Sequence, residues 1–181
     1  MAKKVSPGIR LKAIIRQHLL DEGHLREEIK DPKFEFGFKF QYPISRDATG
    51  KEFGRNFVVI KPKNKDLIEV SHGFHLGNPH DKIFDSLDND KKNHFFNEIT
   101  KIFHIKELGF SINFTPERKV FVVVDKIYVQ SGKAISKNPF YKTIKKIYGT
   151  VMYCIAIINE ILSGKPGDLS LGEKRDPSIY T

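Results

Sequence analysis

Residues 138–163 constrain the fold more than any other stretch, because the segment changes character halfway along. After an Asn138-Pro139 start, Phe140, Ile144 and Ile147 recur at helical spacing while Lys142, Lys145 and Lys146 fill the gaps. That spacing predicts a helix with one buried stripe beside a basic, solvated face. From Val151 to Leu162 only Asn159 and Glu160 are strongly polar, and the series Val151, Ile155, Ile158, Leu162 is joined by Met152, Tyr153, Cys154 and Ile157 on other faces. One sheet surface does not cover so many apolar directions, so this end is either buried on several sides or meets another subunit. The expectation is a homodimer with Tyr148, Met152 and Ile155 at the contact.

A second feature sets the sheet. Phe34, Phe36, Phe38, Phe40 and Tyr42 alternate with Glu35, Gly37, Lys39 and Gln41, the period of a strand with one buried and one wet face. Pro43 is expected to end it. A turn over residues 47–51 leads to a second strand at 57–60, apolar on both faces and therefore expected inside the sheet. A third, over 67–76, places Ile68, Val70, His72, Phe74 and Leu76 on one face.

Ahead of these strands, Ser6-Pro7-Gly8 opens a helix with Ser6 as N-cap, Leu11, Ile14, Ile15, Leu19 and Leu20 as its stripe, and Gly23 as its stop. Residues 25–32 read as a charged link. After the third strand, a loop with a short helical turn at 82–87 precedes a helix capped by Asp88 or Asn89, with Phe95, Phe96, Ile99, Ile102 and Phe103 on its apolar side. Phe110, Ile112 and Phe114 then mark a fourth strand, residues 116–119 a hairpin loop, and 120–130 a fifth strand closed by Ser131-Gly132. The order is helix, three-strand antiparallel meander, helix, β-hairpin, long C-terminal helix. This is an α+β fold, expected as a single domain over residues 1–163 with a flexible tail over 164–181.

A chain of 181 residues buries enough surface to fold without staples. Cys154 is its single cysteine, so no internal disulfide forms, and its place in an apolar run suggests an inert thiol in a reducing compartment. The expected location is cytoplasmic, since the opening MAKKVSPGIRLK lacks the apolar core of a signal peptide. No membrane span is expected either, because residues 151–162 fall short of the roughly 20 apolar residues that a crossing needs. The net charge of +9 comes from 31 Lys and Arg against 22 Asp and Glu. These lysines are spread along the chain with no arginine-rich run, which favours solvated surface over a nucleic-acid site.

The stretches FEFGFKFQYP, VVIKPKNKDLIEV and FYKTIKKIYGTVMYCIAIINEIL, in this order of elements, resemble a mostly archaeal family of uncharacterised proteins whose fold is similar to that of the type III secretion chaperones. The resemblance covers roughly residues 9–162 and contains no catalytic motif. It implies a homodimer that binds extended segments of partner proteins.

The remaining constellations point away from chemistry. His72 and His75 lie three apart on a strand and so face opposite ways, and His72 keeps register with Ile68, Val70 and Phe74; a core histidine is the simpler reading. His75 and His80 meet only if the loop folds back. Asp125 interrupts an apolar strand with no legible acid or histidine partner, which reads as an edge, a bulge or a paired charge. Phosphate-loop, GxGxxG, GxSxG, HExxH and paired-cysteine patterns are missing. The sequence therefore names no catalytic residue, no cofactor and no metal ligand. Its first reading is a non-enzymatic, chaperone-like protein-binding module acting as a homodimer. The alternatives are a nucleic-acid-associated basic protein, using Lys142, Lys145, Lys146 and the lysines of residues 61–65, and an enzyme of unassigned reaction.

Overall fold

The computed structural model describes residues 7–115, 118–129 and 134–163. The expected Ser6 cap, the hairpin tip at Pro116-Glu117, the Ser131-Gly132 stop and the tail over 164–181 lie outside these residues. In chain order the elements are α1 (Pro7–Asp21), β1 (Leu25–Glu28), β2 (Phe34–Arg46), β3 (Glu52–Pro62), β4 (Leu67–His75), α2 (Asn78–Ser86), α3 (Asn89–Ile105), β5 (Gly109–Phe114), β6 (Lys119–Tyr128) and α4 (Lys137–Ser163). The strands form one six-stranded sheet in the order β1-β2-β3-β4-β6-β5. The fold is α+β with the antiparallel meander β2-β3-β4, as the periodicity predicts.

Local chemistry explains the boundaries that were expected. Gly23, with φ of +67°, ends α1; its N–H donates to Leu20 O and the next N–H, that of His24, donates to Leu19 O, both at 2.9 Å. These bonds satisfy carbonyls that a helix end otherwise leaves open. At α3, the Asp88 carboxylate accepts from Lys91 N–H at 2.8 Å, the bond expected of an N-cap.

Three expectations are corrected. Residues 25–28 are not a link but the edge strand β1, paired through Leu25 with Phe40 and through Glu28 with Phe38, with an irregularity between Leu25 and Glu27. Among the described residues the sheet thus has six strands where the sequence suggests five. Pro43 does not end β2, which runs on to Arg46 because the ladder slips register between Tyr42 and Ser45; a residue without an N–H is tolerated at such a slip. Gly54 sits opposite, where an added Cβ would lie 2.6 Å from Pro43 O, so only glycine fits beside the irregular strand. Finally, the turn expected at 82–87 is the nine-residue helix α2, which follows Gly77 as N-cap and has Pro79 in its first turn.

The chain divides into two compact units. The first, Met1–His72 with Val124–Lys146, builds its core from Leu11, Ile15 and Leu19 of α1, Phe36, Phe38 and Phe40 of β2, Phe57 and Val59 of β3, and Phe140 and Ile144 of α4, all buried. Register places Phe40 opposite Phe57 and Phe57 opposite His72, so one sheet face carries a continuous aromatic row. The second, Gly73–Val123 with Ile147–Thr181, buries Phe84, Phe95, Ile99, Phe103, Phe121, Val151, Cys154 and Ile158. Within it Phe121 touches Phe74, Phe95 and Phe114 at centroid distances of 5.0, 6.2 and 5.3 Å. Among the described residues no helix is long and apolar enough to cross a membrane.

Candidate functional site

α4 is apolar nearly all round over its second half, so the directions its residues take decide what is left outside. At about 100° per residue, Phe140, Ile144, Ile147, Val151, Cys154, Ile155, Ile158 and Leu162 fall on one side, and all are buried. Opposite them run Lys142, Lys145, Gly149, Tyr153 and Glu160, all exposed. Of the three residues expected at a contact, Tyr148 and Met152 are half-buried on the flank, while Ile155 is only 8% exposed and belongs to the core. Tyr153, which is not among those three, shows 55% of its surface. Extending the stripe of Phe140, Ile144 and Ile147 onward would have found it, since that stripe turns Ile155 inward and Tyr153 outward.

The basic half of α4 is less uniform than its lysines suggest. Lys142 and Lys145 are exposed, but Lys146 Nζ lies 3.2 Å from Asp125 Oδ2. That pair accounts for Asp125, whose side chain is only 17% exposed: it is a paired charge. Lys61 is likewise withdrawn, buried with Nζ donating to Glu35 Oε1 at 3.0 Å and to Lys65 O at 2.6 Å.

His72 is buried in the row of core residues, stacked on Phe57 at 4.7 Å. Its Nδ1 must donate to Asn56 O at 2.7 Å, because a carbonyl only accepts. Burial pulls its pKa down to about 4, so the ring is neutral at pH 7. His75 and His80 are half-buried, and burial lowers both below the ordinary imidazole value.

Two polar clusters were invisible in sequence, because their members come from distant elements. In the first unit the Tyr141 hydroxyl donates its single proton to His18 O at 3.0 Å, so His24 Nδ1, 3.1 Å from that oxygen, is the donor to it. His18 Nε2 in turn donates to Ile135 O at 3.0 Å. Burial lowers the His24 pKa and raises that of Tyr141. This chain of bonds ties the end of α1 to the start of α4. In the second unit Lys119, read as part of a loop, is buried with Nζ 3.0 Å from Asp85 and 3.6 Å from Asp81, above the Phe84 ring at 5.8 Å. It fastens α2 to β6. Both clusters join elements distant in sequence through hydrogen bonds and ion pairs, as structural networks do.

A shallow pocket of about 240 Å³ is lined by Ile127, Tyr128, Val129, Ala134, Ile135, Ser136 and Pro139. Among the described residues its walls carry two hydroxyls and no acid or base, which suits contact better than proton transfer. Among the described residues no three His, Cys, Asp or Glu side chains gather as metal ligands would.

None of the curated proteins compared with the chain matches it. Among solved structures, that of an uncharacterized protein from Methanothermobacter thermautotrophicus is similar, with a TM-score of 0.71 at 20% identity over 83% of this chain and 98% of that one. That likeness shows a shared fold. The E. coli protein YbjN also aligns, with a TM-score of 0.46 at 10% identity over 82% of this chain and 90% of that one. The family model described as "Uncharacterized conserved protein (DUF2299)" matches residues 11–158, more than half of the sequence, and the chain belongs to that family.

Proposed function

We propose that the chain is a non-enzymatic protein-binding module, chaperone-like in its use, that works as a cytoplasmic homodimer built on one domain of residues 1–163. Proteins meet it on the outer strip of α4 formed by Tyr148, Met152 and Tyr153. The observation that carries this reading is the outward Tyr153, 55% exposed with the half-exposed Met152 beside it, large apolar surface on the solvent side of a helix whose opposite side is buried. A tyrosine adds large contact area at low entropic cost, and a methionine adapts to varied surfaces. The lone thiol fits a reducing compartment, since burial lifts Cys154 to about 12 and keeps it protonated and inert.

The test joins mass to capture. Sedimentation at micromolar concentration is expected to give about twice the 20.9 kDa of the chain. A partner drawn from native extract by the parent is expected to be lost by Met152→Lys/Tyr153→Lys. That variant should melt within about 2 °C of the parent, because neither residue is in the core. Equal capture by both proteins removes the strip from the reading.

A further inference from the structure

We infer that two copies of this chain join edge to edge through β5, each pairing antiparallel with the other so that the two sheets run on as one. The inference deepens the homodimer reading and rests on it.

Among the described residues β5 is the last strand of the sheet. At its end Thr115 N–H donates to Arg118 O at 2.9 Å and Arg118 N–H donates back to Thr115 O at 3.3 Å. Thr115 therefore turns both backbone groups toward β6. Residues of an antiparallel strand alternate between facing one neighbour and facing the other, so Asn113 and Ser111 also face β6. The N–H and C=O of Phe110, Ile112 and Phe114 then point out of the sheet's edge.

The side chains divide in the same rhythm. Phe110, Ile112 and Phe114 are half-buried, whereas Ser111 and Asn113 are exposed on the opposite face. Phe114 rests against Phe84, Phe96 and Phe121 at 5.4, 5.3 and 5.3 Å, and Phe110 against Phe103 at 5.0 Å. A twofold axis through Ile112 makes this strand its own complement. Ile112 meets Ile112 of the second copy, Phe110 meets Phe114, and Ser111 meets Asn113. In that register the outward N–H and C=O groups of all three edge-facing residues find partners. Aromatic lies across from aromatic and polar from polar, pairings that stabilise sheets. A slip of one residue would set the apolar face against the polar one. The strand, GFSINF, holds no charge to repel its copy. A foreign extended segment would have to bring a matching pattern; a second copy already has it.

Charge across the proposed pairs gives the test. Ser111→Lys/Asn113→Lys places like charges opposite each other at both Ser111–Asn113 pairs, on exposed positions. It is expected to sediment at half the parent mass with unchanged circular dichroism. Ser111→Lys/Asn113→Glu puts opposite charges in the same places and is expected to restore the dimer. Amide exchange needs no substitution: the Phe110, Ile112 and Phe114 N–H groups of the parent should slow about tenfold or more between dilute and concentrated samples. A Lys/Lys variant that stays dimeric, or fast exchange at those three amides in the dimer, overturns the β5 assignment and leaves the homodimer reading standing. A parent chain that is monomeric throughout overturns both.

Discussion

The sheet ends in two edges of opposite construction. β1 is four residues, LREE, with an irregular ladder and a row of charges. Lys39 reaches Glu27 at 2.9 Å, Arg26 reaches Glu52 at 3.1 Å, and Lys12 pairs with Glu28. β5 is six residues with none. An exposed strand edge is a template for further pairing, and short length, bulges and charge are how proteins blunt it. The first unit's edge has all three protections and the second's lacks at least the charge. The difference lies in protection against pairing: charge guards β1 and is missing from β5.

The contrast holds only if β5 belongs to a firmly packed unit rather than to a loose one. Phe121 is fully buried behind β5, as Phe40 is behind β1. Phe121→Ala and Phe40→Ala should each destabilise by about 3–5 kcal/mol, read by denaturant unfolding. A much smaller loss for Phe121→Ala would mean that the β5 side is poorly packed, and its uncharged edge would then signal weakness instead of a docking place.

Acid should separate the two units next. His72 holds a pKa of about 4 in the fold against the ordinary 6.5. Above 6.5 both states leave it neutral and the stability is complete; as pH falls from 6.5 toward 4 the unfolded chain takes up a proton that the native ring refuses. Stability is lost across that window, by about 3 kcal/mol at its lower end. His24, also in the first unit, adds loss of the same sign. His75 and His80 of the second unit shift the same way but stand half-exposed. Amide protection at Phe57 and Val59 should therefore fall more between pH 7 and 5 than at Phe121 and Val123. His72→Leu should flatten the pH dependence. Equal loosening of both sets would place the acid-sensitive groups elsewhere.

These contrasts also mark what was legible in the sequence. The alternation around Phe38, the inner position of β3, the Gly23 stop and the Asp88 cap were readable, because each depends on residues within a turn or two of itself. β1 was not: LREE shows no period, and it is a strand only because β2 lies beside it. Lys119 looked like loop chemistry until α2 supplied its two carboxylates. Asp125 had no visible partner because Lys146 comes from another element. On α4 the apolar excess is plain, but composition alone does not orient a helix: Ile155 points inward and Tyr153 outward although both sit in the same apolar run.

The smallest effect on stability, and the sharpest check on the comparison, concerns the charges of β1. The Glu27–Lys39 pair is more than half exposed on both partners, and such pairs are worth about 0.2–1 kcal/mol at most. Glu28 and Lys12 are each more than a third exposed as well, so the same discount applies. Glu27→Thr/Glu28→Thr should consequently melt close to the parent. Threonine keeps the strand's backbone while removing its repulsion, so the predicted change lies in association: light scattering should rise with concentration in the variant at conditions where the parent shows none. The Ser111→Lys/Asn113→Lys exchange on β5 should move association the other way. If the threonine variant associates no more than the parent, charge is not what closes β1, and the absence of charge on β5 stops being a reason to expect pairing there.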